Sequence, residues 1–126
     1  MKIGELSEAT GVSIRSLRYY EKQGLIAPAR LANGYREYSP LTVETVAAIK
    51  LYLNLGLTTE QIAGFLSCVL MNKEAFCSQV LPVYRQKLEE IERQIVQLSQ
   101  IRNNLIDRIA SVQAEMTQTI QNGEET

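Results

Sequence analysis

The side chains best equipped for chemistry lie between Ser13 and Arg36. This stretch has five basic side chains and one acid, Glu21, giving a local net charge of +4 on a chain whose overall net charge is −1. Screening in physiological salt confines electrostatic attraction to roughly 8 to 10 Å, so a local basic surface attracts phosphate even on an acidic protein. The five cations are Arg15, Arg18, Lys22, Arg30 and Arg36. Their types suit contacts with phosphates and base edges.

Two short helices are predicted to hold the first of these cations. Residues Ile3 to Thr10 are expected to form a helix closed by Gly11. Ser13 is the expected N-cap of a second helix, which runs to about Gln23 before Gly24. Two helices separated by three residues have the proportions of a helix-turn-helix, whose second helix enters the major groove.

The second helix carries polar side chains on one face. Positions 15, 18, 19 and 22 follow i, i+3, i+4 and i+7 spacing, whereas Leu17 and Glu21 lie elsewhere on the cylinder. Arginine on such a face suits base recognition, because its guanidinium donates a bidentate pair of hydrogen bonds to guanine. On charge alone, a solvated helix face with tyrosines half in the core fits equally well. The residues on this face are Arg15, Arg18, Tyr19 and Lys22.

A short hairpin is expected to follow. Pro28 and the pair Asn33-Gly34 stop any helix, so that Ala29 to Leu31 and Tyr35 to Glu37 can pair as strands. Cations and hydroxyl groups on this hairpin are placed to contact flanking phosphates, which position a protein without reading sequence. These side chains are Arg30, Asn33, Tyr35, Arg36 and Tyr38.

Two further helices should support this region. The third is predicted from the N-cap Ser39 to Leu55, and a capping box formed by Thr58 and Gln61 opens the fourth. The fourth helix has one apolar face, which predicts that this face is buried. The face consists of Ile62, Phe65, Leu66, Val69 and Leu70.

An apolar heptad repeat begins at Tyr84. Positions 84, 88, 91, 95, 98, 102, 105, 109, 112 and 116 alternate in steps of four and three, and only Arg102 interrupts the series. The pattern indicates a coiled coil, because a lone helix would leave this stripe in water. A second copy is the simplest partner and predicts a homodimer, with a helix folded back on its own domain as the alternative. The predicted interface residues are Tyr84, Leu88, Ile91, Ile95, Leu98, Leu105, Ile109 and Val112.

These elements predict a mainly α fold. Residues 1–72 form a winged-helix DNA-binding domain with supporting helices, residues 73–120 a long coiled-coil dimerisation helix, and residues 121–126 a flexible tail. Pro82 removes one backbone donor near the start of the long helix. The helix therefore either begins at about Leu81 or is kinked in its first turns.

Composition disfavours several classes of protein. Histidine, the commonest general base, is absent and no nucleophile is paired with a base, so we expect no enzyme, no catalytic residue and no cofactor. No run of 18 apolar residues or signal-peptide core is present, which favours a cytoplasmic protein without a membrane partner. Two cysteines are too few for a secreted disulfide scaffold, and a reducing compartment would keep both as thiols.

Over essentially its whole length, the pattern resembles the MerR family of bacterial transcription regulators. The resemblance rests on the opening I-G-E-L, the turn T-G-V-S, the helix R-Y-Y-E-K-Q-G-L-I, the wing N-G-Y-R-E-Y, the fourth-helix start L-G-L-T-T-E-Q-I and the terminal helix. It implies that the long helices pair as an antiparallel coiled coil. The DNA-facing residues it implies are Arg15, Ser16, Arg18 and Tyr20 on the recognition helix and Arg30, Asn33, Gly34, Tyr35, Arg36 and Tyr38 in the wing.

The resemblance also implies a function. A homodimer would bind a pseudo-palindrome in double-stranded promoter DNA and, on activation, bend and untwist it so that RNA polymerase uses both promoter elements. Such a regulator acts in the bacterial cytoplasm, associated with the nucleoid. The alternative is a coiled-coil protein that tethers or organises DNA through the same winged helix.

The effector is less well defined. Metal sensors of this family place one cysteine near the start of the long helix and more after it, but no Cys or His follows Cys77 here, so no metal site is expected. We also expect no large C-terminal domain of the kind with which other members bind drugs. Cys77 and Cys68 stay candidates for effector sensing through an exposed thiolate, against the simpler interpretation that both are structural.

Overall fold

The computed structural model describes residues 1–124, a mainly helical chain with a two-stranded wing. It contains α1 (Ile3–Thr10), α2 (Ile14–Lys22), β1 (Ala29–Arg30), β2 (Arg36–Glu37), α3 (Leu41–Asn54), α4 (Thr59–Met71), a 3-10 turn (Glu74–Phe76) and α5 (Val80–Glu124). The chain divides into two compact units, residues 1–87 and the residues from 88 onward. The predicted winged helix-turn-helix followed by a long helix is confirmed.

Local capping fixes the two helices of the helix-turn-helix. Gly11 ends α1 with a φ of +72°, and its N–H donates to the Ser7 carbonyl at 2.9 Å. Ser13 opens α2 because its Oγ accepts the N–H of Ser16 at 3.1 Å. Gly24 follows α2 with a φ of +77°, a left-handed conformation that glycine adopts at little cost. All three ends lie where the sequence places them.

The core of the first unit is formed by one face of each helix. Leu6 of α1, Leu17 of α2 and Ile49 of α3 are fully buried, so α2 is held by its apolar side and its other faces remain free. Tyr52 of α3 meets Phe65 of α4 edge to face, with ring centroids 4.9 Å apart. The remaining core residues are Val12, Tyr20, Leu25, Ile26, Tyr38, Val46, Leu57, Ile62, Leu66, Cys77 and Val80.

Two helices depart slightly from the prediction. The first residue of α3 is Leu41 rather than a position just after Ser39, because Pro40 itself occupies the cap. The capping box of α4 is confirmed: Gln61 N–H donates to Thr58 Oγ1 at 3.1 Å, and Thr58 N–H donates to Gln61 Oε1 at 2.9 Å. The predicted burial of Leu70 is wrong, since it is 47% exposed on the last turn of α4.

The long helix begins close to Leu81, as one of the two alternatives predicted, but later than the predicted domain boundary at residue 73, and it ends later than residue 120. Its first residue is Val80, so Pro82 lies in the first turn, where its missing N–H has no intrahelical partner to lose. Residues 73–79 are therefore a connection containing one 3-10 turn, not part of the long helix. The predicted tail is also corrected: α5 continues to Glu124, and residues 125–126 lie outside the described residues.

The cysteines differ from the expectation of two thiols. Cys68 and Cys77 form a disulfide with a Cα–Cα distance of 5.8 Å, within the range that an unstrained backbone allows. The bridge connects the last turns of α4 to the segment before α5. This pairing was not predicted, because each cysteine was interpreted separately and the sequence does not show that the chain brings the two together.

In the second unit, the heptad positions form an exposed apolar stripe along α5. Leu98 is 64% exposed and Leu105 is 59% exposed in the single chain. Other exposed members are Leu88, Ile95, Ile109, Val112 and Met116. No helix within residues 1–124 is both long enough and apolar enough to cross a membrane.

Candidate nucleic-acid interface

The recognition helix α2 presents cations to solvent. Arg15, Arg18 and Lys22 are all exposed, and Tyr19 between them is 48% exposed. Ser16 is half-buried, and its side-chain oxygen lies 3.0 Å from the Oγ of the cap residue Ser13. Because Leu17 anchors the opposite side of the helix in the core, the exposed face has a fixed orientation relative to the domain.

The placement of Tyr20 on the DNA-facing surface is corrected by the structure. Tyr20 is only 7% exposed and belongs to the core of the first unit. Burial raises the pKa of its hydroxyl, so the side chain stays neutral. The neighbouring Tyr19 ring, 6.5 Å away between centroids, is the aromatic group of α2 that points to solvent.

The wing is a minimal antiparallel hairpin. Ala29 pairs with Glu37 and Arg30 with Arg36. Gly34 N–H donates to the Leu31 carbonyl at 2.9 Å, and Gly34 has a φ of +83°. Among the described residues only glycines have positive φ, so the turn is not the type I′ turn that Asn33-Gly34 suggests by itself, because that turn needs positive φ at both positions.

Most wing side chains reach solvent. Tyr35 is 63% exposed, and the Lys2 ammonium lies 5.7 Å from the centroid of its ring. Asn33 accepts the N–H of Tyr35 through its Oδ1 at 3.2 Å, which stabilises the turn. The other exposed wing residues are Arg30, Gly34 and Arg36.

Tyr38 is a second correction. Its side chain is 1% exposed and lies in the core at the base of the wing, not on the predicted DNA-facing surface. Its backbone N–H donates to the Met1 carbonyl at 2.7 Å, which ties the end of the wing to the start of α1. Burial, and after it the charge of Glu21, raise the pKa of the Tyr38 hydroxyl, which therefore remains a donor.

Glu21 joins the recognition helix to the wing. Its Oε2 accepts a hydrogen bond from Arg36 Nη1 at 3.0 Å and a longer one from the Tyr38 hydroxyl at 3.4 Å. The carboxylate is mostly buried, whereas the Arg36 side chain is 49% exposed. This role of Glu21 was not predicted from the sequence, although a single acid among five cations is a signal that it neutralises one of them.

Helix α2 and the wing enclose a notch with a volume of about 340 Å³. Its lining combines three cations and the Glu21 carboxylate that fixes one of them. Arg36 is held by Glu21, whereas Arg18 and Lys22 form no salt bridge with any described residue, an arrangement that suits a phosphate or a base edge. The lining residues are Arg18, Glu21, Lys22 and Arg36.

Metal ligation is not supported by the side chains that the structure places together. Within residues 1–124, no group of three or more His, Cys, Asp or Glu side chains lies close enough to hold a metal ion. The two cysteines are joined to each other.

A helix-turn-helix with an attached wing, followed by a long helix with an exposed apolar stripe, defines a winged-helix protein. The sequence model of the family described as MerR HTH family regulatory protein matches residues 1–67 of the chain. The family model described as MerR, DNA binding matches residues 43–108. The chain therefore belongs to the MerR family.

Two relatives agree with this assignment. The chain is 35% identical to the HTH-type transcriptional regulator HmrR of Rhizobium leguminosarum bv. viciae over 83% of this chain and 81% of the relative. It is 39% identical to the mercuric resistance operon regulatory protein of Bacillus cereus over 84% of this chain and 80% of the relative.

Similarity to solved structures supports the fold. The lead(II) complex of the transcription regulator PbrR691 from Ralstonia metallidurans CH34 matches with a TM-score of 0.75 at 23% identity, covering 85% of this chain and 83% of that one. HiNmlR, a MerR family regulator lacking the sensor domain and bound to promoter DNA, matches with a TM-score of 0.53 at 21% identity, covering 86% of each.

Proposed function

We propose that this chain is a transcription regulator that binds a pseudo-palindromic promoter site as a homodimer and distorts the DNA there. The observation that carries the proposal is the continuous basic surface of α2 and the wing, joined through Glu21 and Arg36 at 3.0 Å. In this arrangement α2 enters the major groove and the wing contacts flanking phosphates. The residues proposed to contact DNA are the half-buried Ser16 and the exposed Arg15, Arg18, Tyr19, Arg30, Asn33, Gly34, Tyr35 and Arg36.

Dimerisation and transcription complete the proposal. The exposed stripe of α5 would pair with the same stripe of a second copy, in the antiparallel direction that the family resemblance implies. The dimer would act on promoter DNA together with RNA polymerase, in the cytoplasm at the nucleoid. Regulation of mercuric resistance, for which the Bacillus cereus relative is named, is not extended to this chain, because residues 1–124 place no three potential metal ligands together.

Binding to DNA should be strongly salt-dependent. A pseudo-palindrome selected from random DNA with the full chain would be titrated at several salt concentrations, beside a scrambled duplex of the same composition. We expect the logarithm of affinity to fall with the logarithm of salt concentration with a slope of about −0.9 for each phosphate contact. Salt-independent binding, or failure to select any two-fold site, would contradict the proposal. If the selected site is bound but in vitro transcription and DNA twist do not change, the tethering function is favoured.

Changing Glu21 to Gln should reduce the preference of the protein for its specific site over non-specific DNA more than it changes the affinity for DNA in general. The variant removes the charge that holds Arg36, and this charge also repels phosphate, so affinity for non-specific DNA should rise. The specific site should gain less, because Arg36 loses its fixed position. A partly exposed ion pair contributes about 0.2 to 1 kcal/mol, so with two copies in the dimer the ratio of specific to non-specific affinity should fall by up to roughly 30-fold. Glu89→Gln on α5 is the matched control. Equal gains on both duplexes would show that Glu21 acts only through its charge.

A further inference from the structure

The connection between α4 and α5 is covalently cross-linked. The Cys68–Cys77 disulfide spans nine positions of sequence, and Cys77 is 4% exposed whereas Cys68 is half-buried. Between them, Asn72 ends α4 by donating both its backbone N–H and its side-chain amide to the Cys68 carbonyl, at 3.0 and 3.1 Å. The bridge therefore closes a defined loop rather than joining two flexible strands.

The same loop is attached to the start of α5. Cys77 N–H donates to the Glu74 carbonyl at 3.0 Å, and the Glu74 carboxylate accepts the Tyr84 hydroxyl at 2.5 Å. Tyr84 in turn packs edge to face on Phe65 of α4, with centroids 6.3 Å apart. Burial and the Glu74 carboxylate both raise the pKa of Tyr84, so its hydroxyl stays protonated and continues to donate. The bridge, the loop and the first turn of α5 form one packed joint.

One member of the pair borders a cavity. Cys77 lines a cavity of about 710 Å³, whose wall also includes Glu74, Pro82 and Arg85. The wall carries charges of both signs, the Arg85 guanidinium and the Glu74 carboxylate. Cys68 is half-buried at the end of α4 and is the more exposed of the two cysteines.

We propose that Cys68 and Cys77 form a reversible redox pair that sets the output of the regulator, a conclusion about output that rests on the proposed function. In a cytoplasmic protein a disulfide is usually transient and redox-active, so the observed pairing points to a switch rather than to a permanent staple. The candidate sensing residues named from the sequence thereby act as one two-electron couple, not as a single exposed thiol.

Oxidation proceeds by a peroxide. The Cys77 thiolate attacks the peroxide oxygen, the O–O bond breaks, and the products are a sulfenic acid on Cys77 and hydroxide, or alkoxide from an organic peroxide. The Cys68 thiol then attacks the Cys77 sulfur, forming the S–S bond and releasing water. The peroxide is reduced by two electrons, and the two thiols supply them.

Reduction requires a low-molecular-weight thiol. Its thiolate attacks Cys68 Sγ, the protein S–S bond breaks, and Cys77 leaves as a thiolate that takes up a proton. A second thiol attacks the outer sulfur of the mixed disulfide, releasing Cys68 and the oxidised small molecule. Two thiols are consumed for each bridge that opens.

The place of the disulfide along the chain indicates how its opening would change the binding of DNA. Residues 72–79 are the chain segment between the DNA-binding elements and the heptads of α5, and the bridge is their covalent constraint. A dimer must present its two recognition helices about one helical turn of DNA apart, so a change at this segment alters how a palindrome is held. Dimerisation itself depends on the heptads beyond Leu88 and should not change.

The test begins with the thiols alone. The full chain, in buffers with a metal chelator and graded ratios of reduced to oxidised glutathione, is quenched in acid, treated with maleimide and weighed intact by mass spectrometry. We expect a single transition between a species with no maleimide and one with two, reversed by hydrogen peroxide. A bridge that stays closed under the most reducing ratio, or thiols that stay open after peroxide, would overturn the redox pair.

The second measurement links the pair to output. Promoter binding and in vitro transcription are compared for the oxidised and reduced chain, and we expect a difference of at least about five-fold in one of them. Cys68→Ser should remove this difference; Cys68→Ala serves as a second variant, with circular dichroism to verify folding. An equal redox response in a folded variant, or equal output from both states, would refute control by this pair. A chain that cycles in the thiol titration but binds no DNA supports the pair and contradicts the proposed function instead.

Discussion

A chain with Leu98→Asp is expected to be monomeric at concentrations where the unaltered chain is a dimer. Leu98 occupies a heptad position and is 64% exposed in the single chain, so a partner helix is needed to remove it from water. Losing a buried leucine and burying a carboxylate costs about 3 kcal/mol or more for each copy. Because the dimer contains two copies, its dissociation constant should rise by a factor on the order of 10⁴.

Analytical ultracentrifugation over a range of protein concentrations measures this change. Val96→Asp is the matched control, since Val96 is a similarly exposed apolar residue of α5 at 56%. It lies two positions away, about 200° around the helix from Leu98, outside the stripe. A dimer that survives Leu98→Asp, or that Val96→Asp disrupts equally, would mean that a different face of α5 forms the interface. Folding of residues 1–87 should be unchanged in both variants.

Much of the fold was predictable because its signals are local. A capping box such as Thr58 with Gln61 needs only four consecutive residues, and both of its hydrogen bonds are present. The glycines after α1 and α2 are equally local, since each terminates a helix through its own left-handed backbone. A heptad repeat spans more residues than a capping box, but it too can be recognised within a single continuous segment.

The departures from prediction depend on contacts between distant segments. Tyr20 and Tyr38 have the residue type of DNA-facing side chains, but their burial follows from the packing of α2 against the base of the wing. The Cys68–Cys77 bridge likewise depends on the chain turning back after Asn72. Exposure of a single position cannot be derived from helical periodicity when loops also cover the helix.

The sequence locates the basic stretch but does not distinguish its cations from one another. Counting charges locates the basic stretch, yet it treats all cations as equivalent. The structure separates Arg36, which is paired with Glu21 at 3.0 Å, from Arg18, for which no ion pair is found among the described residues. This difference makes Arg18 the better candidate for reading bases, because an arginine already bound by a carboxylate has fewer donors left for guanine.

Arg18→Ala is accordingly expected to abolish specific binding while leaving the dimer intact. Arg18 is exposed on α2, lines the notch between the recognition helix and the wing, and lies close enough to Tyr38 to influence its hydroxyl. A bidentate contact to a base contributes about 1 to 3 kcal/mol, so loss of both copies should weaken binding to the selected site by roughly 30-fold or more. Fluorescence anisotropy with the selected and scrambled duplexes measures this loss.

The salt dependence identifies what Arg18 contacts. If it reads a base, the variant loses affinity for the selected site but binds the scrambled duplex nearly as well, and the salt slope stays almost unchanged. If it contacts phosphate, both duplexes weaken together and the slope decreases by about 0.9 for each lost contact. Arg93→Ala, which removes the same charge from an exposed, outward heptad position of α5, controls for net charge. We expect the first pattern; the second would reassign base recognition to Arg15, which is exposed on the same face of α2.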